Sequence, residues 1–201
     1  MIHDSAATRR RLLDAATEEF GERGIAGARV ARIASQAMAN KEAIYSYFGS
    51  KQGLFEAAFE DCIKDFHRTV LFDENDLPEY AGRMFDKFED APNTRRMTLW
   101  YHLERSVDDP PLTIITESTG NELRRISHAQ RDGRLPDFYP AEVLLGLIRS
   151  ITLTWHTQVP ELRGSIGFPR ETKRAIVVAA VRWVLEEQRE VDEVAAIRLS
   201  S

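Results

Sequence analysis

The stretch IASQAMANKEAIYSYFGSKQGLF, Ile33–Phe55, carries two short apolar rhythms separated by a break. Before the break, Ile33, Ala34 and Ala37 follow Val30 at helical spacing, which predicts a helix over 29–37. After it, Ile44 and Phe48 lie four apart and leave Lys41, Glu42, Tyr45 and Ser46 on the opposite face, which predicts a second helix over 41–47. Asn40 is a favoured N-cap for that helix, and Gly49-Ser50 ends it. Ala34 is small and falls where two such helices would cross, so a larger side chain there would force them apart. Two short helices joined by a tight turn form a helix-turn-helix arrangement. A plain corner of a helical bundle has the same local pattern, and these residues alone leave both readings open.

Outward from this stretch the chain reads as helical throughout, with no alternating strand. Upstream, Leu12, Leu13, Ala16 and Phe20 share one face of a helix predicted over 6–22, Gly24 is a C-terminal stop and Gly27 lets the connection turn. Downstream, a fourth helix starts near Lys51 and carries Leu54, Phe55, Ala58, Phe59, Cys62 and Phe66. Three more are expected over 76–90, 94–107 and 111–131, separated by Pro92 and Pro110-Pro111. The last two, over 140–156 and 169–188, each begin at a proline and are apolar around more than one stripe. The expected fold is all-α. A three-helix N-terminal domain with the helix-turn-helix occupies residues 1–50, and a larger helical C-terminal domain occupies 51–201.

Composition bounds the class. Apolar residues make up 43% of the 201 positions, enough for a packed core. No apolar run reaches the roughly 18 to 20 residues that span a bilayer, and the N-terminal arginines precede no stretch of signal-peptide type. A soluble cytoplasmic protein with no membrane partner is expected. Cys62 is alone, so no internal disulfide can form, and its neighbours Phe59, Ile63 and Phe66 place it as a small buried residue. The net charge is −5, yet residues 1–54 hold eight Lys or Arg against six Asp or Glu. The acidic excess therefore lies in the rest of the chain. Polyanion binding depends on the local patch rather than on the total.

Residues 8–60 resemble the N-terminal domain of the TetR family of bacterial transcriptional regulators. Ile33, Ala34, Ala37, Tyr45, Tyr47, Phe48, Lys51 and Leu54 stand in the family's register, and LLDAATEEFGERG, 12–24, resembles its first helix. There are departures. The family's turn glycine is Met38 here, its threonine-rich start of the second helix is Gly27-Ala28-Arg29, and its Ser-Lys-Gly-Thr is Asn40-Lys41-Glu42-Ala43. Ala28 is a poor N-cap. A left-handed turn at Met38 would cost a non-glycine residue about 1 kcal/mol. The residue that reads the operator cannot therefore be taken from family habit.

The resemblance implies that the third helix enters the major groove of double-stranded DNA. Lys41 can donate to guanine, Glu42 can accept from a cytosine amino group or favour the helix N-terminus, and Ala43 can touch a thymine methyl. Asn40 and Ser46 border that face. Tyr45 and Tyr47 can present hydroxyls to the sugar-phosphate edge, although Tyr47 also suits the core, three residues from Ile44. Lys51, at the first turn of the next helix, is the expected phosphate clamp, with Arg29 and Arg32 as further phosphate candidates that suit plain surface equally well.

One such module reads few base pairs, so a homodimer on a palindromic operator is expected. Its interface is sought in the helices over 140–156 and 169–188, although burial of both inside a monomer would give the same apolar pattern. The family's C-terminal region encloses a pocket whose occupation moves the DNA-binding domains apart. Candidates for lining it around an unknown small-molecule effector are Phe66, Met84, Phe88, Met97, Trp100, Tyr101, Glu104, Thr116, Asn121 and Trp155, each of which also suits ordinary core packing. No glycine-rich phosphate loop or nucleophile elbow is present, and the five histidines lack ligand spacing, so no enzyme, metal site or cofactor is expected. The reading is a ligand-responsive repressor. The rivals are an activator or ligand-independent regulator of the same fold, and an all-helical binding or catalytic protein that keeps the helix-turn-helix only for packing.

Overall fold

The computed structural model describes residues 2–104, 110–165 and 167–186. Ten helices run through them: α1 Ile2–Gly27, α2 Val30–Gln36, α3 Lys41–Phe48, α4 Lys51–Thr69, α5 Leu77–Asp90, α6 Pro92–Glu104, α7 Thr113–Arg131, α8 Ala141–Thr157, α9 Pro160–Ser165 and α10 Arg170–Leu185. No strand occurs among the described residues, and the protein is all-α. None of these helices is long and apolar enough to cross a membrane. The expected helices stand where periodicity placed them, with ends differing by a few residues. Positions 105–107 and 187–188, expected to extend two of them, lie outside the described residues. The short α9 has too few apolar positions for its period to be read.

Two compact units divide the chain. The first combines residues up to Thr69 with Lys87–Thr116, and the second combines Val70–Asp86 with residues from Glu117 onward. The expected domain division at residue 50 falls inside the first unit, because α4 packs on α1 and α3 there.

The first unit owes its core to the positions whose rhythm was read above. Leu12, Ala16, Phe20, Ile33, Ile44, Leu54, Phe55 and Met97 are fully buried in one cluster, and Ala34, Ala37 and Phe59 nearly so. Phe20 meets Phe55 edge-on at 5.3 Å, Phe55 stacks on Phe59 at 6.0 Å, and Phe59 stacks on Tyr101 at 4.5 Å. Each large apolar side chain buried in this way contributes about 1.5–3 kcal/mol. Cys62 is buried, as expected, and burial pushes its thiol above the ordinary range.

In the second unit α8 packs on α10, with Leu144, Leu145, Ile148, Val177 and Val181 buried. Arg174 ties α10 to α5, donating from Nε to Asp86 at 2.7 Å and pairing with Glu79. Glu122 of α7 is a buried carboxylate held by Arg149 of α8 at 2.8 Å, with the Tyr80 hydroxyl 3.5 Å away. A buried charge of this kind needs such a partner.

Candidate nucleic-acid interface

The sequence sets α3 apart by what it leaves outside. Ile44 is fully buried and Phe48 half-buried, so the helix sits on α4 by one stripe. Lys41, Glu42, Tyr45 and Ser46 lie on the exposed face, and Ala43 is half-buried. Asn40 caps the helix as expected: its side-chain oxygen accepts the Ala43 N–H at 2.8 Å. Glu42 lies in the first turn, where a carboxylate favours the helix dipole. Tyr47 is only 36% exposed, and its hydroxyl hydrogen-bonds Ser5 of α1 at 3.0 Å. The guanidinium of Arg9 lies over the Phe48 ring, 5.3 Å from its centre.

The turn before α3 keeps the left-handed shape that a glycine favours. Met38 has φ 53°, and its side chain is 80% exposed. The strain of about 1–2 kcal/mol is local, since the projecting thioether meets solvent. Backbone bonds from Met38 N–H to Ser35 at 3.1 Å and from Ala39 N–H to Ala34 at 2.9 Å close the turn. Arg11 reaches from α1 to donate to the Ala37 carbonyl at 3.0 Å.

The connection ahead of α2 is held quite differently. Gly24 interrupts α1 with φ 66°. A Cβ added there would stand 2.9 Å from the Glu104 carboxylate and 3.0 Å from the Trp100 ring. Glu104 in turn accepts the Ile25 N–H at 3.0 Å. Arg29 is the N-cap of α2 but supplies no side-chain cap. Its N–H goes instead to Glu19, at 2.8 Å. Arg32 donates from Nε to both Glu19 oxygens, at 2.9 and 3.0 Å, and again from a terminal nitrogen. Glu19 is 6% exposed. The Arg32 guanidinium and the Arg29 N–H hold its carboxyl below the usual range, against the opposing effect of burial. Lys51, expected as a phosphate clamp, donates to the carbonyls of Ala28 at 3.0 Å and Ala26 at 3.4 Å, so in the free protein it braces the start of α2 from α4.

Most of the residues put forward for an effector pocket have partners of their own. Phe66, Met84, Phe88 and Met97 are buried, and Phe66 meets Phe88 at 5.6 Å. Trp100 and Glu104 lie against the Gly24 bend and Tyr101 against Phe59. Trp155 donates to the Lys173 carbonyl at 3.2 Å, and the Thr116 hydroxyl to the Leu112 carbonyl at 3.4 Å. Thr116 and Asn121 are exposed. The structural parts of Glu19 and Arg11 are absent from the sequence reading. Each acts on a backbone group or side chain more than ten positions away or at a helix end, where no periodic signal reports it.

An exposed, capped second helix of a helix-turn-helix is the arrangement that a class of all-helical DNA-binding proteins presents, and comparison decides whether this chain is one of them. Residues 12–58 match the family model described as bacterial regulatory proteins, tetR family, and residues 76–183 match the model described as tetracyclin repressor-like, C-terminal domain. The chain is 32% identical over 161 residues to the HTH-type transcriptional repressor SCO4008 of Streptomyces coelicolor, which covers 80% of this chain and 83% of that protein. It is 26% identical over 179 residues to the HTH-type transcriptional regulator BetI of Burkholderia lata, covering 85% and 89%. The solved structure of SCO4942 from Streptomyces coelicolor superimposes with a TM-score of 0.78 at 35% identity, over 90% of this chain and 99% of that one. The chain belongs to the TetR family and is a DNA-binding transcriptional regulator.

Proposed function

We propose that the protein represses transcription as a homodimer on a palindromic operator and lets go when a small molecule binds its C-terminal helical region. The observation that carries this reading is the exposed face of α3, with Lys41, Glu42, Tyr45 and Ser46 on a helix capped by Asn40 and seated on buried Ile44. Lys41 and Glu42 would read base edges and Ala43 a thymine methyl, while Tyr45, Tyr47, Arg29 and Lys51 would hold the backbone. Residues 1–50 serve recognition together with Lys51 at the start of α4, and the rest of 51–201 serves pairing and effector binding. Dimerisation is supported by α8 and α10, where Val143, Ile176 and Trp183 stay 45%, 40% and 66% exposed beside the buried stripe. A ligand can release the operator only by preferring the conformer that does not bind it. The protein acts by binding and carries out no reaction.

Selection of bound duplexes from a random pool, repeated with candidate effectors, tests the whole reading. A palindromic product lost on addition of one compound is expected. Lys51→Ala should weaken all duplexes alike, whereas Lys41→Ala should change preference among sequences. Equal, sequence-independent losses in both variants would refute base reading by Lys41. Failure of the wild type to bind any duplex at low salt would refute the regulator reading.

A further inference from the structure

Arg32 lies in α2 and is a cation of the kind that meets DNA phosphates, yet its fork is already occupied. Nε donates to both oxygens of Glu19, at 2.9 and 3.0 Å, and a terminal nitrogen donates to the same carboxylate. That is the two-pronged geometry in which arginine takes a phosphate. The carboxylate is 6% exposed, and Arg23 reaches its second oxygen only at 3.5 Å. We infer that Glu19 withholds Arg32 from the DNA backbone as an internal substitute for a phosphate, so that α2 meets the duplex without this cation.

The physical reason is the state left behind. Were Arg32 to swing to a phosphate, Glu19 would keep one backbone N–H and a distant arginine and would otherwise stand buried with its charge uncompensated. Only the carboxylate is buried, since the Arg32 side chain is 37% exposed, so the cost of parting them falls on Glu19, whose charge would lose its main partner. The same carboxylate oxygen also fixes the Arg29 N–H at 2.8 Å, so releasing Arg32 would loosen the start of α2. Glu19 is thus a positioning residue. It orients α2 and at the same time lowers the number of phosphates the protein neutralises, which weakens binding and makes it less sensitive to salt.

The inference rests on the reading that the helix-turn-helix faces DNA, and the experiment separates the two. Duplex affinity is measured against salt for the wild type, Glu19→Gln and the double variant Glu19→Gln/Arg32→Gln. Each additional phosphate contact steepens the logarithmic salt slope by about 0.9. Glu19→Gln is expected to steepen it by that amount, which is roughly threefold more affinity lost between 50 and 200 mM salt. The double variant is expected to return to the wild-type slope. A merely structural role for Glu19 would weaken binding without steepening the slope, and that result overturns the inference. So does a double variant with a slope shallower than wild type, because Arg32 would then already be neutralising a phosphate. A readout independent of substitution is the Arg32 Nε–H signal in NMR of the wild type. It should exchange slowly and stay in place when duplex is saturating; a large shift overturns the inference even if Glu19→Gln fails to fold. A wild type that binds no duplex at low salt instead removes the DNA reading, and this inference falls with it.

Discussion

The two connections that flank α2 each contain a residue with positive φ and accommodate it by opposite means. At the near side Gly24 has φ 66° with ψ 178°, an extended region essentially confined to glycine, and at the far side Met38 has φ 53° in a tight turn. The near side is crowded: Trp100 and Glu104 of α6 lie against Gly24, Glu104 holds the Ile25 N–H, Lys51 holds the Ala28 carbonyl and Glu19 the Arg29 N–H. The far side is open, with Met38 80% exposed and the turn closed by its own backbone. The left-handed turn at Met38 costs a residue with a Cβ about 1–2 kcal/mol, whereas the backbone at Gly24 belongs to a region that a Cβ disfavours more strongly. Backbone region and crowding together decide what a side chain would cost. On the far side the turn strain is the whole cost, and methionine is tolerated where the resemblance leads one to expect glycine. On the near side a side chain would also displace an aromatic ring and a hydrogen-bonded carboxylate.

Substitutions on either side of α2 test this contrast. Gly24→Ala combines backbone strain with overpacking and should destabilise the protein by about 3 kcal/mol in urea unfolding. A loss below about 1 kcal/mol would mean that Trp100 and Glu104 yield freely and the two sides are alike. Lys51→Met keeps the stem and removes the ammonium that braces the near side. Thermal unfolding of the free protein should report a loss of about 1.5 kcal/mol, as for a hydrogen bond to a charged donor; an unchanged midpoint would show that the carbonyls of Ala26 and Ala28 are satisfied by water. Asn40→Ala, on the far side, deletes a local cap and should cost about 1 kcal/mol. Hydrogen exchange faster in the first turn of α3 than elsewhere would confirm that the effect stays local. Met38→Gly relieves the strain but adds freedom to the unfolded chain, so a net gain of about 0.5 kcal/mol is expected. A clear loss would imply that the Met38 side chain makes contacts that its exposure conceals.

The contrast also shows where a sequence is legible. The rhythm of Ile33, Ala34, Ala37 and Ile44 placed α2 and α3 within a residue or two, and all four are buried. Asn40 was read as a cap from residue type and position, and caps. The sequence places Lys51 at the first turn of α4, but its bonds to the α1–α2 connection carry no sequence signal. Glu19 stands beside Phe20 on α1 as one more acidic residue in the sequence, and only the approach of α2 makes it the partner of Arg32. The aromatic residues around 95–105 were equally ambiguous, since core packing and ligand contact demand the same side chains.

By itself the sequence determined the all-helical class, the helix-turn-helix and the face that α3 leaves outside. Those depend on spacing along one helix, and spacing is a local property with a fixed period. The tertiary structure alone decided which charged groups are committed and which remain at the surface. Glu19 with Arg32, Lys51 with Ala28 and Arg11 with Ala37 join positions 13 to 26 residues apart. A long polar side chain has many possible partners until helix crossing brings one within bonding distance, and burial then makes leaving that partner unfavourable.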